Sequence, residues 1–243
     1  MTTNEAHGGA ERPGHHWREP QRVQEYVARM DARAAEREQQ FALLTRLLPY
    51  PADGAIAVLD LGAGYGAVAA AVLRAFPQAS ATLFDISEAM LAVGAERMAP
   101  FAGRYRYVHG DFAEGELPDT VGGPFHAIVS ARAIHHLPAA ATRALYAACA
   151  ARLLPGGCFF NLDMVAAPDE ATAAVYRRAE VRSAAAQGTA PAAAPAGGHH
   201  HERFHALADH LGWLGEAGLV AVDCYGKWLG NALIGGYRPP LRD

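Results

Sequence analysis

Short apolar runs alternate with longer helical patterns through the middle of the chain. The apolar runs lie at residues 56–61, 81–84, 105–108, 125–130 and 158–162, and helical patterns separate most of them, at residues 67–76, 87–98 and 139–154. Continuous apolar strands bounded by turn residues are typical of a parallel sheet that is buried on both faces. Because strands and helices alternate in this way, we predict an α/β domain with a largely parallel sheet.

Further patterns extend the chain on either side of this core. Residues 19–48 carry two apolar stripes at helical spacing, and residues 204–218 carry another before two last apolar runs at 219–225 and 231–236. Residues 1–18 and the Ala/Pro/Gly-rich residues 184–198 offer little apolar surface to bury. We therefore expect a disordered tail at residues 1–18, a helical cap at 19–50, and a domain at 51–243 with a lid-like insertion at about 165–205.

The composition is that of an ordinary globular protein, with 51% hydrophobic and 19% charged residues. A net charge of −4 provides no electrostatic footprint for nucleic acid. The sequence shows neither a membrane-length apolar run nor a signal peptide, so no membrane partner is expected. Three cysteines, an odd number spread along the chain, indicate free thiols in a reducing cytoplasm. The sequence leaves open whether the protein forms a homo-oligomer.

A glycine-rich turn follows the first apolar run. Asp60 ends that run, and Gly62, Gly64 and Gly66 precede the next helical pattern. Such a turn presents bare backbone N–H groups at a helix N-terminus, with no Cβ to keep a ligand away. Alone, it indicates either a dinucleotide site or merely a tight strand–helix corner. Asp85 ends the second apolar run, where a carboxylate is placed to accept hydrogen bonds from ribose hydroxyls.

The later landmarks narrow these alternatives. They are His109-Gly-Asp-Phe112 after the third run, Ala131-Arg-Ala-Ile-His-His-Leu137 after the fourth, and Leu153-Leu-Pro-Gly-Gly157 before the fifth. With the glycine turn and Asp85, residues 56–164 resemble a class I S-adenosylmethionine (SAM)-dependent methyltransferase of the small-molecule type. The resemblance implies a Rossmann-like fold with a seven-stranded, mostly parallel sheet, an antiparallel last strand and an N-terminal helical cap. It also implies SAM as cofactor and S-adenosylhomocysteine as product.

The resemblance assigns a set of residues to the cofactor: Asp60, Gly62, Ala63, Gly64, Asp85, Ile86, Asp111, Phe112, Ser130 and Ala131. The glycines and the residues around Ser130 would line the methionyl group, and Asp60 would fix its ammonium. Asp85 would hold the ribose, while Asp111 would accept a hydrogen bond from the adenine amine. Tyr26 and Arg29, one helical turn apart in the cap, are further pocket candidates.

Two neighbouring histidines, His135 and His136, follow the fourth run, where the family places residues beside the transferred methyl group. We expect one of them to face the pocket and the other to pack, and assign catalysis to this pair. The competing interpretation is a histidine that merely satisfies a backbone group.

A second cluster contains the motif His201-Glu-Arg-Phe-His205. On a helix, this spacing puts both imidazoles on one face, as a metal ion such as zinc requires. Nothing else in the chain resembles a zinc peptidase, so we reject that function. The sequence leaves three interpretations of this cluster open: a solvated helix start, a divalent-metal site completed by Asp163 and His210, or a direct acid–base site.

We therefore predict SAM-dependent methyl transfer to a small soluble molecule. A chelating acceptor such as a 2-oxo acid, methylated at carbon with help from a divalent metal, is the favoured version, because a metal would stabilise the enolate. A metal-independent O- or N-methyltransferase of a natural product and a non-catalytic SAM-binding module are the alternatives.

Overall fold

The computed structural model describes residues 17, 19–186 and 204–240. Within them, seven strands form one sheet: β1 Ala57–Leu61, β2 Ser80–Asp85, β3 Tyr105–His109, β4 Phe125–Ala131, β5 Leu153–Met164, β6 Val220–Trp228 and β7 Asn231–Tyr237. Their order in the sheet is β3-β2-β1-β4-β5-β7-β6. The first five strands are parallel, and β7 runs antiparallel to both β5 and β6. This arrangement confirms the predicted fold.

Helices cover both faces of the sheet. They are α1 Pro20–Asp31, α2 Ala34–Arg46, α3 Ala67–Ala75, α4 Glu88–Arg97, α5 Ala139–Arg152, α6 Glu170–Ala186 and α7 Leu207–Glu216. Because successive side chains of a strand point to opposite faces, Val58 packs in a cluster with residues of α2 and α3, and Leu59 packs in a cluster with residues of α5 and α7. The apolar runs that form β1, β2 and β4 are thus strands buried on two sides, whereas β3 and β6 at the sheet edges are more exposed.

The fifth strand begins earlier than its apolar run indicates. Helix α5 ends at Arg152, and β5 starts directly at Leu153, so Pro155-Gly-Gly157 lies inside the strand rather than in a turn between helix and strand. A register shift between Phe125 and Ala127 of β4 absorbs the additional residues. A Cβ at Gly157 would lie 2.8 Å from the carbonyl oxygens of His126 and Leu154, so only glycine fits there.

The N-terminal helical region is divided in two. Helix α1 packs against α4, and α2 packs against α3. Trp17, within the segment expected to be a disordered tail, contacts the Tyr26 ring edge-on at a centroid distance of 4.9 Å, and its carbonyl accepts a hydrogen bond from Ser87 Oγ. Aromatic burial therefore fixes the chain at Trp17. The expectations for residues 1–16 and 187–203 lie outside the described residues.

The last helix begins later than its sequence pattern indicates. Helix α7 starts at Leu207, while His205 lies in an extended segment whose carbonyl accepts a hydrogen bond from the Ala166 amide. The expected placement of His201 and His205 on one helical face is therefore wrong at His205, because its backbone pairs with another segment. Within the described parts of the chain, no helix is both long and apolar enough to cross a bilayer.

Candidate active site

A cavity opens at the carboxyl ends of the parallel strands and is lined by residues from the loops that follow β1, β2, β3 and β4. Parallel sheets place ligand sites at this edge because the loops that leave the strands converge there. The cavity wall includes seven residues that the sequence assigns to the cofactor: Gly62, Gly64, Asp85, Ile86, Asp111, Phe112 and Ala131. Asp60, Ala63 and Ser130 do not line it.

The glycine turn forms one wall of this cavity through backbone conformations that favour glycine. Gly62 and Gly64 have φ angles of 62° and 53°. A Cβ at Gly62 would collide with Ala133, whereas a Cβ at Gly64 would meet only the Met90 sulfur, at 3.7 Å. Gly62 therefore permits close packing of two loops, and Gly64 keeps the wall open towards the cavity.

Asp85 ends β2 and is fixed by the backbone on both sides. Its Oδ2 accepts a hydrogen bond from the Gly64 amide at 2.7 Å, and its Oδ1 accepts one from the Ser87 amide at 2.8 Å. Burial raises the pKa of Asp85 above its ordinary value, although both hydrogen bonds oppose that shift. Each carboxylate oxygen can accept a further bond, so Asp85 can still accept bonds from two hydroxyls of a ligand.

Asp111 and Phe112, in the loop after β3, also line the cavity. Asp111 Oδ1 accepts a hydrogen bond from the Ala113 amide at 2.8 Å, which fixes the loop after β3 and leaves Oδ2 without a bond to any described residue. The Phe112 ring lies 6.1 Å from the Phe84 ring, which is fully buried. A carboxylate next to an apolar wall suits a flat ring that carries an amine.

Asp60 lies beneath the glycine turn rather than in the cavity wall. Its side chain is fully buried, and Oδ2 accepts a hydrogen bond from the Ala69 amide, at 3.0 Å, in the first turn of α3. Oδ1 has no hydrogen-bond partner among the described residues. Burial raises the pKa of Asp60 to about 8, since the Ala69 bond offsets only part of the desolvation.

Ser130 and Ala63 support the site from the protein interior. Ser130 Oγ donates a hydrogen bond to the Leu61 carbonyl at 2.8 Å and links β4 to the end of β1. Ala63 packs in the core on the side of α2 and α3.

The two histidines after β4 lie in the short 3₁₀ turn Ile134–His136 and have different surroundings. His136 lines the cavity, whereas His135 Nδ1 lies 2.5 Å from Asp163 Oδ1 at the end of β5. The two imidazole rings pack with their centroids 3.9 Å apart. The structure thus places His136 on the ligand side and His135 between it and a buried carboxylate.

Asp163 holds this turn in place. Its Oδ2 accepts hydrogen bonds from the amides of Ile134 and His135, at 2.9 and 3.0 Å. Burial opposes ionisation, but His135 and the backbone donors outweigh it and hold the pKa of Asp163 well below its usual range. An ionised carboxylate only accepts hydrogen bonds, so His135 Nδ1 carries the proton that the pair shares.

The donors proposed for a metal have other partners. Burial lowers the pKa of His210 to about 4, and its Nδ1 pairs with the Tyr146 hydroxyl at 2.8 Å. His205 Nε2 lies 3.0 Å from the Leu137 carbonyl, and Asp163 is bound to His135. Among the described residues, no group of three His, Cys, Asp or Glu side chains could hold a metal ion. His201 lies outside them.

Sequence reasoning missed six residues in the cavity wall: Trp17, Met90, Ala113, Arg132, Ala133 and Leu137. Tyr26, one of the two candidates from the helical cap, lines the cavity, whereas Arg29 does not and instead lies over the Tyr26 ring. For Arg132 a signal did exist, since it is a charged residue in an otherwise apolar stretch directly after a strand.

The residues of the cavity wall suit SAM: Asp85 and Asp111 offer carboxylate oxygens to which ribose hydroxyls and an adenine amine could donate, and Gly64 adds no side chain to the wall. Fold and cavity agree with the resemblance of the sequence to class I SAM-dependent methyltransferases. Residues 58–157, which are 100 of the chain's 243 residues, match a family model described as a methyltransferase domain.

Its relatives are methyltransferases of several kinds. Over 109 residues the chain is 42% identical to the ubiquinone/menaquinone biosynthesis C-methyltransferase UbiE of Methylobacterium nodulans, a match that covers 44% of this chain and 41% of that protein. An O-methyltransferase family protein from Burkholderia thailandensis superposes with a TM-score of 0.63 and 20% identity, over 86% of this chain and 58% of that one.

Human N-acetylserotonin methyltransferase in complex with SAM superposes with a TM-score of 0.61 and 15% identity, over 92% of this chain and 57% of that one. At such identities the structural matches establish the fold alone. The chain spans less than two thirds of the length of each of these relatives.

Proposed function

We propose that this protein transfers the methyl group of SAM to a small molecule bound beside His136. The observation that carries the proposal is a single cavity lined by two kinds of side chain: the carboxylates of Asp85 and Asp111, and the rings of His136, Tyr26 and Trp17. The Trp17 ring packs edge-on against both the Tyr26 and the His136 rings. Such a cavity can hold both a nucleoside and an acceptor.

When bound, SAM supplies an activated methyl group on a sulfonium ion, so the protein must chiefly align the acceptor and exclude water. Asp85 would accept hydrogen bonds from the ribose hydroxyls, and Asp111 would accept one from the adenine amine beside Ile86 and Phe112. The aromatic side chains of Trp17 and Tyr26 would exclude water from the acceptor.

An acceptor that reacts through oxygen or carbon must also lose a proton, and His136 is placed to accept it. His135 acts behind it as a positioning residue, since its Nδ1–H donates to Asp163 and its ring packs on that of His136. The ionised Asp163 would also stabilise positive charge that develops on the imidazoles.

The proposed acceptor is a small enolic or phenolic molecule, with 2-oxo acids as the first class to test. The name of the bacterial relative favours methylation at carbon, and the names of the structural relatives favour methylation at oxygen. The metal-assisted version of the reaction depends on His201 together with donors that have other partners here. Proton removal by His136 is therefore the simpler proposal.

The test begins with calorimetric titration of the wild type with S-adenosylhomocysteine. A screen for SAM consumption over 2-oxo acids and phenols, with and without chelator, follows. His136→Ala should bind S-adenosylhomocysteine normally and lose about 10²- to 10⁴-fold in turnover, the usual contribution of a general base. Asp163→Asn should shift the pH profile of turnover.

Four results would contradict parts of the proposal. Failure to bind S-adenosylhomocysteine would remove the cofactor assignment, and unchanged turnover in His136→Ala would remove the assigned base. Turnover abolished by chelator and restored by zinc would favour the metal-assisted version. Binding without turnover of any acceptor would support a non-catalytic SAM-binding module.

A further inference from the structure

Arg132 follows β4 directly and adopts a backbone conformation that most residues avoid. Its φ angle is 57°, in the left-handed region, and its amide donates a hydrogen bond to the Leu162 carbonyl at 3.0 Å. A β-carbon makes this conformation unfavourable, and such residues concentrate at functional sites, where surrounding contacts enforce them. The conformation belongs to a residue of the cavity wall.

The guanidinium of Arg132 is partly buried, and no residue that the structure describes is its counter-ion. It forms no ion pair and no side-chain hydrogen bond with any residue that the structure describes, whereas Arg104 and Arg152 donate to three groups each. The charged or ionisable groups that face it are Tyr26, Arg33, Glu36 and Asp163. Burial lowers the pKa of Arg132. A guanidinium that is removed from water without a partner is poised to bind an anion.

The glycine turn cannot supply this anion site itself. The amides of Gly62 and Ala63 donate to the Phe84 carbonyl, and the Gly64 amide donates to Asp85. These N–H groups are therefore occupied within the protein. Asp85 and Asp111 in the same cavity oppose a multiply charged anion such as phosphate, and favour a singly charged one.

We propose that Arg132 binds a carboxylate in this cavity. The inference rests on the proposed function. The carboxylate can come from one of two sources: the methionyl group of the cofactor, or an acidic acceptor such as a 2-oxo acid. In both cases the planar guanidinium donates to the two carboxylate oxygens.

The variants are chosen to keep the left-handed backbone conformation at position 132. Arg132→Asn removes the charge while keeping a side chain that tolerates the left-handed conformation, and Arg132→Lys keeps the charge without the planar fork. Arg143→Asn, which removes an exposed arginine that pairs with Glu216, is the matched control. Thermal unfolding of each variant establishes that it is folded.

The first arm compares S-adenosylhomocysteine with its decarboxylated analogue by calorimetry. If the cofactor supplies the carboxylate, Arg132→Asn loses about 10- to 100-fold in affinity for the first ligand and keeps its affinity for the second. The affinity of Arg132→Lys for S-adenosylhomocysteine falls between those of the wild type and Arg132→Asn, and the affinity of Arg143→Asn matches that of the wild type.

The second arm uses protein saturated with S-adenosylhomocysteine and compares phenylpyruvate with the neutral ketone phenylacetone. If the acceptor supplies the carboxylate, the wild type prefers the acid and Arg132→Asn loses that preference. The inference is overturned if, in both arms, Arg132→Asn shows the same ratio of affinities for the acidic and the neutral ligand as the wild type. This result leaves the proposed function intact. A wild type that binds no S-adenosylhomocysteine overturns both.

Discussion

Asp60→Asn should stabilise the protein, and the gain should depend on pH. Asp60 is fully buried, and burial raises its pKa to about 8 from an ordinary value of 3.8. Because the pKa is higher in the folded state, folding is accompanied by proton uptake between these two values. The folded protein is thus favoured below pH 3.8, and it loses stability as the pH rises towards 8.

The size of the effect follows from the difference in pKa. Each pH unit between the two values costs about 1.4 kcal/mol, and about three such units lie below pH 7, so the loss at pH 7 is about 4 kcal/mol. Asparagine cannot ionise, and its amide oxygen can still accept the Ala69 hydrogen bond. The free energy of unfolding of Asp60→Asn should therefore exceed that of the wild type by about 4 kcal/mol at pH 7, which corresponds to roughly 10 °C in Tm.

Urea unfolding of both proteins between pH 4 and pH 8 measures this difference. The free energies of unfolding of the two proteins should converge near pH 4 and diverge as the pH rises. The contributions of titratable groups that both proteins share cancel in the difference. Asp53→Asn, at an exposed position in the turn before β1, is the control and should show no such divergence. A difference between Asp60→Asn and wild type that is constant over this range would refute the reasoning.

Four further substitutions test other parts of the fold and site. Gly94→Ala should destabilise, because a Cβ in α4 would overlap the Tyr107 hydroxyl and lie 2.8 Å from its ring carbon, whereas Gly212→Ala in α7 meets nothing within 4 Å and should stabilise by about 0.5–1 kcal/mol in urea unfolding. Asp85→Ala should lower S-adenosylhomocysteine affinity about 10- to 100-fold by calorimetry, and wild-type affinity would contradict its proposed role. Asp163→Asn should lower stability at pH 7, because a carboxyl with a lowered pKa stabilises the folded state above pH 3.8, and this deficit should shrink as the pH falls below that value.

The sequence predicted those features that depend on strand ends. Asp85, Gly64 and Asp111 come directly after apolar strands, and the parallel order of the sheet brings such positions to one edge. The two-sided burial of β1 was predictable for the same reason, because a strand apolar at successive positions must be covered on both faces. No knowledge of side-chain direction was needed for these predictions.

Features set by tertiary contacts could not be predicted. Which of two adjacent histidines faces the cavity depends on the carboxylate of Asp163, which pins the turn from β5. The direction of Arg132 depends on its left-handed backbone, and helical spacing gives no sign of it. The hypothesis of a metal at His205 assumed a helix, but pairing of its backbone with Ala166 overrides that local pattern.

That pairing has a consequence for how proteins of this kind can diverge. Ala166, just beyond β5, and Ala206, just before α7, form a parallel bridge, so the two ends of the segment between them are held side by side. Doubling the length of a loop whose ends are already fixed costs only about 0.6 kcal/mol in closure entropy. We therefore expect that part of this segment can be exchanged for another of different length while the sheet and Asp163 keep their places. Grafting experiments that seek new acceptors should begin between these two alanines.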